Sequence, residues 1–336
     1  MDRMQNDERA GPARARSAAA PLPGQAAAPD GARTRRLAYL GTPEAAVAPL
    51  RALVEAGHDI AIVVTRPDRR RGRGAALSPS PVKREAQRLG LPVAYDLDAM
   101  LDTGLTLGVV VAYGRIIPAD VLERVPMVNV HFSLLPRWRG AAPVERAVLE
   151  GDPVTGVSIM AVEQGLDTGP LYAAESLAVG EGESVDELRA RLAQAGARLL
   201  VDVLGRPLPD PVPQSGEPTY AAKIHPEELV LRWDRDADQL ARVVRLGRAW
   251  TTWRGRRLRV LQARAEADDR SAAPGSAPGA PGTLLDDAVA TGRGSLRLLR
   301  VQPEGRAPMT AAEWLRGARP RPGERLGSTG PRHGNT

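Results

Sequence analysis

The spacing of apolar and polar positions changes repeatedly along the chain, and each change marks an element. Leu37 to Leu40 is a short apolar run that stops at Gly41, the pattern of a buried strand. Thr42 and Pro43 are the residue types of a helix N-cap and first helical position. Val47, Leu50, Leu53 and Val54 then share one helical face, and Gly57 closes that helix. Ile60 to Val64 is apolar throughout. A strand apolar on both faces, joined to its neighbour through a helix, argues for a parallel sheet. Ser80-Pro81 opens another helix that ends at Gly90. Val93 and Leu107 to Ala112 predict two more strands, and Val128 to His131 a further one. Pro143 to Leu149 reads as helix, Val157 to Val162 and Leu171 to Leu177 as a strand pair, and Ser184 to Leu204 as a long amphipathic helix. This alternation predicts an α/β domain with a mostly parallel sheet.

The pattern breaks at Pro207, Pro209, Pro211, Pro213 and Pro218, a density that predicts a stiff linker over 206–218 between a domain at 35–205 and a second at 219–318. In the second, Leu229–Trp233, Leu258–Ala263, Thr283–Ala290 and Leu296–Val301 read as short strands. Ala237–Leu246 and Ala311–Leu315 read as helices. Short strands separated by turn signals suggest a small barrel or sandwich. Residues 268–282, rich in Ala, Pro, Gly and Ser, predict a flexible loop, and 319–336 a tail. After Met1, residues up to 34 hold Met4 and Leu22 as their only larger apolar side chains, and 1–34 predict a disordered tail. Asp2, Asp7, Glu8 and Asp30 argue against a transit peptide there.

Composition narrows the chemistry. The 336 residues contain no cysteine, which excludes a disulfide framework, a zinc ribbon and a thiol nucleophile. His58, His131, His225 and His333 do not cluster, so no metal site is expected. No run of 18 apolar residues exists, so no membrane span is expected. Of the 46 basic residues only Lys83 and Lys223 are lysines, an arginine bias that makes the net charge of +6 weak evidence for a polyanionic partner.

Gly41-Thr42-Pro43 lacks the second and third glycines of a dinucleotide fingerprint, which argues against a Rossmann dehydrogenase. Asn129 and His131 are two apart on an otherwise apolar strand and therefore face the same side of the sheet. Both can donate to a developing oxyanion, and histidine titrates near neutral pH. Two satisfied structural residues near a strand end would give the same pattern. The carboxyl end of a strand is, however, where open α/β sheets place their sites. Asp167 lies in a turn bracketed by Gly165 and Gly169, where an aspartate ordinarily serves backbone hydrogen bonding. The stretch Arg66–Gly74 carries Arg66, Arg69, Arg70, Arg71 and Arg73 against one Asp68. A charge run is usually a solvated surface loop, and the alternative is a loop that contacts phosphates. A second basic stretch, Arg254, Arg256, Arg257, Arg259 and Arg264, lies close to Trp250 and Trp253.

The run Asn129-Val-His-Phe-Ser-Leu-Leu-Pro-Arg-Trp-Arg-Gly-Ala-Ala-Pro143 resembles the methionyl-tRNA formyltransferase family. Further likeness lies in Gly41-Thr-Pro-Glu44, Thr65-Arg-Pro-Asp68, Ser78-Pro-Ser-Pro-Val-Lys83, Val109-Val-Val-Ala-Tyr-Gly114, Gly165-Leu-Asp-Thr-Gly169 and Thr219-Tyr-Ala-Ala-Lys-Ile224. The resemblance runs from about Arg36 to Gly317. It implies a Rossmann-like formyltransferase domain with a smaller C-terminal OB-like β-barrel. It also implies transfer of the formyl group of 10-formyltetrahydrofolate to the α-amino group of methionine on charged initiator tRNA, with no metal. Asn129, His131 and Asp167 would be the catalytic set. Ser133, Leu134, Leu135 and Pro136 would line the folate site, and the Arg66–Arg73 loop would contact tRNA. A cytoplasmic monomer is the expectation. The residue types agree with this chemistry: the substrate's own amine is the nucleophile, so no Ser or Cys nucleophile is needed. Two departures stand out. The stretch between Val93 and Val109 is short, which would shrink one helix, and the Pro-x-Pro-Gly usual around Arg245–Trp250 is absent.

Overall fold

A computed structural model describes residues 34–71, 76–267 and 279–327. The regions read as an N-terminal tail (save Thr34), most of the 268–282 loop, and the last nine residues lie outside the described residues, as does Arg73.

The first half is built from β1 (Arg36–Gly41), α1 (Val47–Glu55), β2 (Asp59–Val64), the ribbon strands β3 (Arg69–Arg71) and β4 (Ala76–Ser78), α2 (Pro81–Arg88), β5 (Val93–Ala94), α3 (Asp98–Leu101), β6 (Leu107–Val111), α4 (Ala119–Arg124), β7 (Met127–His131), β8 (Arg139–Gly140), α5 (Pro143–Glu150), β9 (Val154–Ala161), β10 (Leu171–Ala178) and α6 (Val185–Leu204). Seven strands form one sheet in the order β10-β9-β7-β6-β1-β2-β5. The five from β5 to β7 are parallel, and β9 and β10 add an antiparallel edge. The chain winds from β1 outward to β5 and then returns to β6 on the other side of β1, so the strand order reverses between β1 and β6. Ligands of open α/β sheets bind at such a reversal, beyond the carboxyl ends of the strands.

The apolar pattern accounts for the core. Leu37, Tyr39, Val109, Val128, Val130, Val157 and Ile159 from the sheet are buried against Leu50 and Leu53 of α1 and Leu188, Leu192 and Leu200 of α6. The capping box of Ser184 and Glu187 starts α6. The Ser80 side chain, accepting the Lys83 amide, starts α2. The helix expected from Thr42-Pro43 begins later. Pro43 is the cap of a short 3₁₀ turn, Glu44–Ala46, and the Thr42 hydroxyl is turned to the Tyr113 carbonyl at 3.3 Å. The shortened β5-to-β6 crossover leaves α3 a single turn of four residues.

Beyond Leu204 come β11 (Tyr220–Ala221), α7 (Ala237–Arg245), β12 (Trp250–Trp253), β13 (Arg256–Glu266), β14 (Leu284–Leu285), β15 (Ala288–Ala290), β16 (Ser295–Pro303), β17 (Met309–Thr310) and α8 (Ala311–Ala318). The strands β12-β13-β16-β15-β14 form a second sheet, with β17 on β16. They enclose a separate core of Trp233, Leu240, Val260, Leu296, Leu298 and Trp314. Three expectations need correction here. Leu229–Trp233 is not a strand: Pro226–Leu229 forms a 3₁₀ turn, and Val230 makes only an isolated bridge to Trp250. A strand was missed at Trp250–Trp253, where Arg254 and Gly255, both at positive φ, make a two-residue hairpin turn into β13. Part of the stretch read as a tail docks back, with Leu326 buried and its amide on the Gly282 carbonyl.

The two halves are tied by ion pairs and caps. Arg146 of α5 meets Glu228 at 2.6 Å, and Arg242 donates to the Glu150 carbonyl at the end of α5. Arg245, where the proline-rich motif is missing, donates to the Glu183 and Gly180 carbonyls. Burial lowers the pKa of that guanidinium, as expected for a cation placed between two domains.

Candidate active site

The last residue of β7 is His131. Asn129 precedes it on the same face of the strand, and β7 lies between β6 and β9 at the carboxyl ends of the parallel strands. The His131 side chain is buried, and its Nε2 faces the Trp138 carbonyl at 2.8 Å. Its Nδ1 lies 3.7 Å from Asp167 Oδ2. Both ring nitrogens thus face oxygen atoms, one of a carboxylate and one of a backbone carbonyl. Asp167 comes from the turn between β9 and β10, where its φ is +50°, and its Oδ2 also accepts the Gly140 amide at 2.8 Å. Among the described residues no hydrogen bond engages the Asn129 carboxamide. A histidine at the carboxyl end of β7 and a carboxylate from a distant turn therefore meet, with Asn129 on the same face of the strand.

The segment after β7 is held from beneath. Ser158 of β9 donates to the Ser133 carbonyl at 2.8 Å and accepts the Leu135 amide at 3.2 Å. The Ser133 hydroxyl donates to the Arg137 carbonyl at 2.6 Å. Ser133 and Leu135 are buried, Leu134 is half-buried, and the Leu135–Pro136 bond is cis. Leu134 packs so close to Gly156 that a Cβ there would come within 2.5 Å of it. Ser133 and Leu135 therefore shape the loop from inside.

Trp138 is a bulky residue at φ +64°, a conformation kept only where surroundings enforce it. Its indole N–H donates to Asp152 at 2.7 Å, its amide donates to Thr219, and the Arg137 guanidinium lies over its ring. Asp152 also pairs with Arg137 at 2.6 Å. This clamp aims the Trp138 carbonyl at His131.

Several of these residues escaped the sequence reading. Ser158 was detectable as a polar residue on the apolar face of Val157–Met160. Gln214 was not. It sits in the proline-rich linker, yet its Nε2 donates to the Asp167 and Gly169 carbonyls, each at 2.8 Å, while its Oε1 accepts from Arg139 at 2.7 Å. The linker is correspondingly anchored, Val212 exchanging two 2.8 Å backbone hydrogen bonds with Leu171.

The arginine loop is a ribbon rather than irregular chain, with β3 and β4 antiparallel. Asp68 and Lys83 pair at 2.8 Å at its base, and Arg69 and Arg70 are exposed. Arg66 is turned inward and donates to the Gly114 carbonyl. In the second basic stretch Arg254 pairs with Glu324 and covers Trp253, and Arg257 covers Trp250. No group of three or more His, Cys, Asp or Glu able to hold a metal occurs among the described residues. No helix among them is long and apolar enough to cross a membrane.

Residues 35–204 match the formyl transferase family model, and residues 223–319 match the formyl transferase C-terminal domain. A methionyl-tRNA formyltransferase from Rhizorhabdus wittichii is 47% identical over 300 residues, covering 84% of this chain and 95% of that relative. One from Heliobacterium modesticaldum is 40% identical over 316 residues, covering 87% of this chain and all of that relative. The chain belongs to the methionyl-tRNA formyltransferase family. Solved structures share the fold of this formyltransferase. An N-formyltransferase from Helicobacter canadensis, in complex with folinic acid and dTDP-3-aminofucose, superposes with a TM-score of 0.60 at 12% identity, covering 79% of this chain and 99% of that one. HypX from Aquifex aeolicus, in complex with tetrahydrofolic acid, gives 0.58 at 16% identity, covering 84% of this chain and 47% of that one.

Proposed function

We propose that this enzyme transfers the formyl group of 10-formyltetrahydrofolate to the α-amino group of methionyl initiator tRNA, using Asn129, His131 and Asp167, as a monomer in the cytoplasm. The observation that carries the site assignment is the 3.7 Å approach of Asp167 Oδ2 to His131 Nδ1 beside the unengaged Asn129 carboxamide. The donor set fits a formyl carbonyl, which needs hydrogen-bond donors and no metal.

When bound, the folate supplies an activated formyl carbon on a nitrogen leaving group. Asn129 and His131 donate to the formyl oxygen as negative charge builds on it, an interaction stronger in the transition state than in the ground state. The amine of methionine supplies the electron pair for the new C–N bond, and the bond from the formyl carbon to the folate nitrogen breaks. Asp167 stabilises a charged His131 and receives the proton released by the attacking amine, directly or through water, for return to the departing nitrogen. The loop Ser133–Pro136 forms one wall of the folate site. Arg69, Arg70 and Arg71 on the ribbon, with Arg73, contact tRNA phosphates, whereas Arg66 braces the Gly114 turn. Residues 35–205 act as the catalytic domain, 206–218 as the linker and 219–318 as a tRNA platform.

The decisive assay supplies purified protein with labelled 10-formyltetrahydrofolate and either charged initiator tRNA or a small amine such as an amino sugar nucleotide. Label in formylmethionyl-tRNA is the expected result. Label only in the small amine would overturn the assignment.

A further inference from the structure

We infer that Gln214 is a positioning residue for the reaction, so that the interdomain linker holds part of the active site in place. Four hydrogen bonds to three residues converge on its carboxamide, and each partner belongs to the site's frame. The amide nitrogen donates to the carbonyls of Asp167 and Gly169, both at 2.8 Å, which closes the turn that carries the Asp167 carboxylate. The amide oxygen accepts from Arg139 Nε at 3.0 Å and Nη2 at 2.7 Å. Arg139 precedes Gly140, whose amide holds Asp167 Oδ2 at 2.8 Å. One neutral side chain thus ties together the backbone of the turn and the strand that grips its carboxylate.

The turn needs such a restraint. Asp167 has φ +50°, which an L-residue with a side chain adopts at a cost unless neighbours hold it there. Gly140 has φ +117° and is seated by Ala221, because β8 pairs with β11 just past the linker. The linker is therefore fixed on both sides of Gln214, at Val212 by Leu171 and at Tyr220–Ala221 by Arg139–Gly140. Only a carboxamide fills the role. Its nitrogen satisfies two carbonyls and its oxygen satisfies a guanidinium, whereas a carboxylate would set an acceptor against two acceptors.

This inference rests on Asp167 acting in formyl transfer, and its test keeps the two apart. In Gln214→Ala, kcat for methionyl-tRNA should fall about 10- to 100-fold, as expected for a reacting group displaced by about an ångström. KM for tRNA should stay within about two-fold, because no tRNA contact is removed. Gln214→Glu keeps the acceptor for Arg139 but loses both donors, so it should be as impaired as Gln214→Ala. Hydrogen exchange supplies a readout that needs no activity: amides of 163–171 should exchange about 10-fold faster in both variants, with those of α6 unchanged. Wild-type activity in Gln214→Ala, rescue by Gln214→Glu, or unchanged exchange in the turn would each overturn the inference. A wild-type protein that formylates no methionyl-tRNA would instead overturn the proposed function and leave the exchange result to stand or fall by itself.

Discussion

Asp167 Oδ2 stands 3.7 Å from His131 Nδ1, while the opposite ring nitrogen lies 2.8 Å from the Trp138 carbonyl. The imidazole is thereby fixed from both sides, with the Asp167 carboxylate on its Nδ1 side. Asp167→Asn keeps an oxygen for the Gly140 amide but removes the negative charge. Formyl transfer should slow by about 10²- to 10⁴-fold in single-turnover measurements, with folate binding preserved. An unaltered rate would leave Asp167 a structural turn residue.

The Asn129 side chain makes no hydrogen bond to the described residues, so its truncation should cost little stability. Asn129→Ala should lower kcat by about 10²- to 10³-fold, the usual loss of one oxyanion donor, and should hold the KM for tRNA near its wild-type value. Parallel thermal melts would separate this from unfolding. A rise in KM with kcat intact would mean that Asn129 binds the ground state instead.

Arg69 and Arg70 are exposed on a ribbon whose base is anchored by Asp68 and Lys83. Their removal therefore leaves the ribbon's attachment alone. The double variant Arg69→Ala, Arg70→Ala should raise KM for tRNA and flatten the plot of log affinity against log salt by about 0.7 to 0.9 per lost phosphate contact. Binding of 10-formyltetrahydrofolate should be unaffected. A salt slope equal to that of the wild type would assign these arginines to solvation.

Apolar periodicity located the parallel strands, because a strand buried on both faces has few alternatives at that length. It also located the pair Asn129 and His131, whose polarity interrupts such a strand. It failed where long-range partners decide local structure. Leu229–Trp233 is apolar enough for a strand but is taken into a 3₁₀ turn and a single bridge. Arg69–Arg71 has no strand composition and is extended only because Ala76–Ser78 pairs with it. Gln214 is the clearest case. A glutamine among prolines reads as linker, and its three partners lie in segments that only the fold brings to it.

The N-terminal half also contains a charge cluster with a definite pH signature. Glu85 of α2 is 6% exposed and accepts from Arg51 of α1 at 2.6 and 2.7 Å and from Arg88 at 2.7 Å. These hydrogen bonds, Arg51 first and Arg88 second, lower its pKa from 4.5 to about 2. A carboxylate whose folded-state pKa is depressed contributes stability that is complete above its unfolded value and is lost as pH falls through the folded one. Glu85→Gln should therefore destabilise the protein by about 2 kcal/mol at pH 7. The gap between variant and wild type should narrow as pH falls from 4.5 toward about 2. Denaturant unfolding can follow this through Trp138, the one tryptophan before residue 205. A gap of the same size at pH 7 and pH 3 would show that Glu85 stabilises the helix pair through packing and not through its charge.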